Sequence, residues 1–148
     1  MKKNILNELG KRMVFFDGGM GTLLQERGLE AGELPENWNL EHPDIIRELH
    51  RDYLNAGADI ILANTFGANE LKFPDNLEEI VTKGVQNAKK AVEETGKDGY
   101  VALDVGPTGK LLKPLGTLDF EDAVSIFART IKAGAAAGAD LILIETMS

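Results

Sequence analysis

Two stretches of this chain, 81 residues apart, are near-copies. Residues 55–65 read NAGADIILANT and residues 136–146 read AAGADLILIET, identical at seven of eleven positions. Each copy joins a small, glycine-containing segment end to an apolar run with a polar tip, and recurrence of such a unit marks a chain built from repeated βα pieces. Four short apolar runs fit that reading: MVFF (13–16), DIILA (59–63), YVALDV (100–105) and DLILI (140–144). Each is continuous rather than alternating, as in strands of a parallel sheet covered on both faces.

Helical patterns separate the runs. HPDIIRELHRDYLNAG places Pro43 in a first helical turn, repeats Ile45, Ile46, Leu49, Tyr53 and Leu54 on one side, and ends at Gly57. NLEEIVTKGVQNAKKAVEETG opens on Asn76 with Glu79 three residues on, a capping-box pair, and stops at Gly96. In DFEDAVSIFARTIKAGAAAG, Asp119 is the expected cap and Val124, Phe127, Thr130 and Ile131 the expected buried stripe. GMGTLLQERG supplies a short helix after the first run. The order is β followed by α, repeated, with a closing β, which implies a parallel sheet of four strands with right-handed crossovers. The 148 residues suit one domain, able to bury roughly two-thirds of its unfolded surface. No linker or low-complexity tract interrupts it, and GLEAGELPENWN (28–39) is the longest irregular stretch.

Composition removes several functions. With 16 basic against 24 acidic residues the net charge is -8, which argues against non-specific nucleic-acid or anionic-membrane partners. The sequence has no cysteine, so it can supply neither a disulfide nor a thiolate metal ligand. The start, MKKNILNELGKRMVFFDGG, is basic but lacks the continuous apolar segment of a signal peptide. No stretch approaches a membrane span. A cytoplasmic location is expected.

The chemistry concentrates where the apolar runs end. Asp17 follows the first, Asn64 and Thr65 the second, Asp104 closes the third, and Glu145 and Thr146 follow the fourth. A single strand-tip acid can simply cap the next helix. Polar groups at four tips point instead to a ligand site, because parallel α/β folds bind ligands at the carboxyl ends of their strands. Carboxylates gathered there suit an ammonium group, or proton handling if their pKa values are pushed apart. Gly18, Gly19 and Gly21 after Asp17, and Gly106 and Gly109 after Asp104, would allow positive φ or close approach of backbone to ligand. DGGMGT is neither a dinucleotide fingerprint, since Leu24 stands where a third glycine belongs, nor a Walker loop, since no Lys-Ser/Thr pair follows. His50 is expected to be packed within its helix, His42 to lie at a helix entry, and Trp38 to plug the core under the long loop. Neither histidine has a partner at metal-ligand spacing.

The motifs FFDGGMGTLLQERG, LPENWNLEHPDIIRELHRDYLNAGADIILANTFGAN, DVGPTG and LILIETMS resemble, in order and from about residue 11 to the last, the homocysteine-binding domain of the homocysteine S-methyltransferases. Within that family the likeness is strongest to the N-terminal homocysteine module of the cobalamin-dependent methionine synthases. The resemblance implies a (β/α)8 TIM-barrel fold, of which residues 1–148 would form the N-terminal half with about four βα units. It implies homocysteine as substrate, held by Asp17, Gly18, Thr65 and Glu145, with Asn64 and Asp104 as possible further contacts. Whether Asp104 touches substrate or orders the GPTG turn is open, with the turn the preferred expectation. It implies a catalytic zinc on three cysteines, all absent here, and a methyl donor that is most readily methyltetrahydrofolate through cobalamin. A metal-bound thiol loses its proton near neutral pH and attacks the methyl group. Without those cysteines the stretch is expected to be inactive alone, supplying the amino-acid-binding half.

A half-barrel would leave strand edges and an apolar wall open. The expected remedies are self-association or pairing with a complementary C-terminal half. A non-catalytic half-barrel scaffold or binding module is the alternative function.

Overall fold

A computed structural model describes residues 4–148; the basic start at Lys2 and Lys3 lies outside the described residues. A 3-10 turn at Ile5–Asn7 precedes helix α1 (Gly21–Glu26), and a second at Pro35–Asn37 leads into α2 (Trp38–Glu41). The longer elements then alternate: α3 (Pro43–Asn55), β1 (Ile60–Leu62), α4 (Leu77–Thr95), β2 (Tyr100–Val105), α5 (Phe120–Ala136) and β3 (Leu141–Ile144). The strands form one parallel sheet in the order β1-β2-β3, with Ile60 beside Tyr100 and Ala102 beside Leu141.

Three strands stand where four were expected. The first run lies alongside β1 but pairs only through an isolated parallel bridge between Phe16 and Ile60. Phe15 O accepts from the amides of Asp59 and Ile60, and Asp17 N donates to Ile60 O at 2.9 Å. Its side chains explain the brevity: Met13, Phe15 and Phe16 are exposed, so little packing holds the segment flat against its neighbour. The fourth run also departs from expectation. All six residues of β2 are buried, whereas β3 alternates, turning Ile142 and Ile144 outward.

The repeat has a clear structural meaning. Gly57 (φ 111°) and Gly138 (φ 94°) both adopt the left-handed conformation that ends α3 and α5. In each case the next alanine closes the helix, Ala58 N donating to Tyr53 O at 3.0 Å and Ala139 N to Gly134 O at 3.1 Å, a Schellman arrangement. The aspartate that follows then latches the neighbouring segment. Asp59 Oδ2 accepts from Phe15 N at 2.9 Å, and Asp140 Oδ2 accepts from Val101 N at 2.8 Å.

Helix α4 forms the middle of the outer layer, packed against α3 and α5. Its buried Leu77, Ile80, Val81, Val85, Ala88 and Ala91 meet Ile61, Val101, Leu103 and Val105 of the sheet. Neither expected side-chain cap forms at Asn76 or Asp119; Asp119 pairs with Lys113 at 2.9 Å instead. Acids in the first turns, Glu78 and Glu79 in α4 and Glu121 and Asp122 in α5, complement the helix dipoles. Of the expected α5 stripe, Thr130 is buried and Phe127 and Ile131 pack half-buried against the core, while Val124 does not. Val124 is exposed, while Ala123, Ile126, Thr130, Ala133 and Gly134 are buried. Gly134 lets α5 approach the sheet closely, since a Cβ there would lie 2.4 Å from a Leu103 methyl.

Candidate functional site

A cleft of about 520 Å³ opens at the carboxyl end of the sheet. Asp17, Gly18, Asn64, Thr65, Asp104 and Glu145 all line it, so the fold brings together the strand-tip residues except Thr146, which is not part of the lining. Two charged residues that the pattern missed, Glu36 and Lys72, line it as well.

Asp17 sits just beyond the first run. Its Oδ2 accepts from Leu62 N at 3.0 Å, while Oδ1 is buried without a partner. Burial pushes this carboxyl up to about 6; the amide bonds oppose the shift and the charge of Glu145 adds to it. Asp104, near the end of β2, is buried with Oδ1 likewise unpartnered. Burial raises its pKa most, followed by its hydrogen bond with Glu145 and the charges of Glu145, Asp17 and Glu36. Asp104 therefore favours its protonated form at neutral pH, because burial and the neighbouring acids both disfavour its charge. Just past Glu145, Thr146 has φ 60°, a strained conformation for a β-branched residue.

The remaining tip residues order the site. Thr65 Oγ1 donates to Asp104 O at 2.8 Å and accepts from Asp104 N at 3.1 Å, tying the end of β1 to β2. Asn64 Nδ2 donates to Pro35 O at 2.9 Å and to Asn39 Oδ1 at 3.0 Å. Asn39 Nδ2 in turn donates to Asn64 O at 2.8 Å. This lock draws the irregular segment over the strand tips and carries Glu36 into the cleft. Glu36 Oε1 accepts from Gly67 N at 2.5 Å, and Oε2 is buried without a partner. No strand-tip rule could have found Glu36, because it arrives from the 3-10 turn at Pro35–Asn37 rather than from a strand end; its sequence signal is an acid beside Pro35 in the stretch that must cross the tips.

Three expectations are corrected. Asp104 does not order the GPTG turn, which Thr108 closes by donating to Lys110 O and accepting from Lys110 N. Gly18 is not in a positive-φ conformation; a Cβ there would stand 2.8 Å from the hydroxyl of Tyr53, which donates to Gly19 O at 2.6 Å. Gly106 likewise makes room for chain rather than ligand, since a Cβ would fall 2.5 Å from Phe66 O.

The histidines lie outside the cleft. His50 is fully buried in α3 with neither ring nitrogen bonded, and His42 lies against Trp38 with ring centroids 4.4 Å apart and the planes tilted by 59°. Trp38 is the expected core plug, packed with Leu24, Leu29, Ile46 and Leu49. The donor set does not fit a thiolate-held zinc: there is no cysteine, and among the described residues no three His, Asp or Glu converge on a metal position. No helix among the described residues is long and apolar enough to cross a membrane.

Fold and cleft thus define a parallel α/β protein with an acid-lined mouth at its strand ends, chemistry suited to a cationic ligand. The homocysteine S-methyltransferase family profile matches residues 14–148, and the chain belongs to that family. It is 32% identical over 159 residues to the methionine synthase of Mycobacterium tuberculosis (strain ATCC 25618 / H37Rv), covering 97% of this chain and 13% of the relative. It is 31% identical to that of Mycobacterium leprae (strain TN) over the same shares. The metallated form of the homocysteine methyltransferase MmuM from Escherichia coli superimposes with a TM-score of 0.83 at 25% identity, covering 98% of this chain and 58% of that one. Its oxidized form gives 0.79 at 27%, covering 95% and 56%. The chain spans a small part of those synthases and little more than half of the solved methyltransferase.

Proposed function

We propose that the cleft binds the amino-acid end of homocysteine, and that residues 1–148 act as the N-terminal, amino-acid-binding half of a homocysteine S-methyltransferase domain with a (β/α)8 barrel fold. The observation that carries this reading is the meeting of Asp17 and Glu145 in one cleft, with a buried, unbonded oxygen on Asp17. An α-ammonium group would satisfy that oxygen and neutralise the pair. Gly18 lines the cleft beside Asp17 and admits the Tyr53 hydroxyl that holds Gly19. Thr65 and Asn64 hold the tips in register, and Asp104, its pKa raised by burial and by its acidic neighbours, adjusts the charge the ligand meets.

The family resemblance implies that zinc supplies thiol deprotonation when bound. The residues of this chain do not fit that metal, so its role here is confined to the amino-acid end. Methyltetrahydrofolate through cobalamin is the proposed methyl source for the complete enzyme, and the cytoplasm its proposed location. Calorimetric titration with L-homocysteine in zinc-free buffer tests the reading. Saturable binding that weakens at least tenfold in Asp17→Asn supports it, and absence of heat with the wild-type chain sinks it. Given zinc and a methyl donor, the chain alone is expected to form no methionine.

A second reading concerns association. Ile142 and Ile144 of β3 are exposed and give this edge of the sheet an apolar face. We propose that this side pairs with a complementary C-terminal half-barrel or a second copy, which would also accommodate a non-catalytic scaffold role. Sedimentation as a compact monomer at all concentrations, with no partner required for cooperative unfolding, would count against it.

A further inference from the structure

An amino acid brings one ammonium and one carboxylate, yet the cleft is lined by four carboxyl groups, Asp17, Glu36, Asp104 and Glu145. On the reading above, on which this inference rests, Asp17 and Glu145 answer the ammonium. The ligand's carboxylate would then enter a strongly acidic mouth and needs its own counter-charge. Among the described residues lining the cleft, Lys72 is the one cation.

Its surroundings mark it as available. Lys72 is exposed, and its Nζ makes no ion pair or hydrogen bond among the described residues, whereas most of the arginines are paired with acids. A Cβ placed on Gly67 would stand 3.1 Å from Lys72 Nζ and 2.6 Å from Glu36 Oε1. The ammonium and the carboxylate therefore flank one bare glycine, with no ion pair between them among the described residues, while Glu36 Oε1 accepts from Gly67 N.

The backbone brings Lys72 there by construction. Asn69 is buried and its Oδ1 accepts from Leu71 N at 2.9 Å and Lys72 N at 3.3 Å. Thr130 of α5 adds a bond to Ala68 O at 2.9 Å. This Asx turn folds the chain after β1 back on itself, so that the segment bearing Asn64 and Thr65 at one end returns Lys72 to the same mouth.

We infer that Lys72 recognises the carboxylate of the bound amino acid, making the cleft selective for zwitterionic α-amino acids over simple amines, with Glu36 as the positioning residue that fixes Gly67 beneath the lysine. Lys72 is a surface side chain, so its truncation leaves the fold intact, and the effect reads directly in selectivity.

The test is a pair of calorimetric titrations, one with L-homocysteine and one with 3-aminopropane-1-thiol, the same molecule without its carboxylate. The wild-type chain is expected to prefer homocysteine by about tenfold, the scale of one charge-assisted contact at a partly exposed site. Lys72→Met should abolish that preference by weakening homocysteine alone, and Lys72→Arg should retain it. Asp17→Asn should weaken both ligands. If Lys72→Met leaves homocysteine unchanged, or weakens both ligands equally, Lys72 does not contact the carboxylate and the inference fails while the site reading stands. If the wild-type chain binds neither ligand, both fall together.

Discussion

His50 offers the sharpest test of the packing. It lies on the α3 stripe of Ile46, Leu49 and Leu54, fully buried, with neither ring nitrogen hydrogen-bonded. Burial pulls its pKa down from the ordinary 6.5 to about 4, so the folded protein holds a neutral imidazole across the range in which an unfolded chain takes up a proton. Between pH 6.5 and 4 the unfolded state binds more protons than the folded state, and stability falls as pH falls. At about 1.4 kcal/mol per pKa unit, a shift of this size corresponds to about 3 kcal/mol of stability, present above pH 6.5 and lost on acidification to about pH 4.

His50→Leu isolates this effect. It keeps similar volume and removes two unbonded polar atoms, so at pH 7 the variant is expected to match or exceed the wild type by about 1 kcal/mol. Asp17 and Asp104 have raised pKa values and act in the opposite sense, adding relative stability as pH falls. The whole-protein profile mixes these contributions, but the difference between wild type and variant cancels the acids and leaves the histidine. Urea unfolding at half-unit steps from pH 7.5 to 4.5 should show that difference widening steadily in favour of the variant below pH 6.5. Parallel profiles would refute the reasoning, since they would mean that His50 finds water or a partner in the folded state.

The same physics makes ligand binding pH-dependent. Asp17 must be ionised to hold an ammonium, and with its pKa near 6 homocysteine should bind about tenfold more weakly at pH 5 than at pH 7; calorimetry on Asp17→Asn should lose that step. Gly134→Ala would set a Cβ 2.4 Å from a Leu103 methyl, so the helix gain of about 1 kcal/mol should be outweighed by overpacking, with a net loss of about 1–2 kcal/mol visible as a lower urea midpoint. Asp140→Ala deprives Val101 N of its acceptor and should cost about 1–2 kcal/mol. An unchanged midpoint in either variant would count against the packing described.

The strand tips were legible from sequence for a simple reason. In a parallel sheet every residue that follows a strand lands at the same end, so Asp17, Asn64, Asp104 and Glu145 could be grouped without knowing any distance. What failed were features set by neighbours rather than by the local run. MVFF and DLILI have strand-like composition, but the first pairs only briefly and the second has one open face, and neither outcome is written in its own residues. In α5 only Val124 leaves the expected buried stripe, and the close contact of Gly134 with Leu103 is not written in the pattern of large apolar residues. Glu36 reaches the cleft from the 3-10 turn at Pro35–Asn37 and Lys72 from the turn after β1, segments held by Asn39, Asn64 and Asn69, and strand or helix periodicity says nothing about where such connections return.

The two ends of the sheet use the same residue type in opposite ways. At the strand starts Asp59 and Asp140 are satisfied by backbone amides, and Arg12 holds the Asp59 carboxyl below its usual range. At the strand ends Asp17 and Asp104 keep unbonded, buried oxygens and raised pKa values. The repeated segment spans both ends, beginning with the latching aspartate and finishing at the tip, so one unit carries both the contact that fixes the strand and the position where the site is built. An unbonded buried oxygen costs about 1–3 kcal/mol, and the Asn39–Asn64 lock and the Thr65 clamp surround these tips with bonded groups that hold them in place. A ligand ammonium would relieve that cost only if it reached Asp17 and Glu145 together. This favours a compact primary ammonium over a bulkier quaternary one, whose methyl groups would leave the same oxygens unbonded.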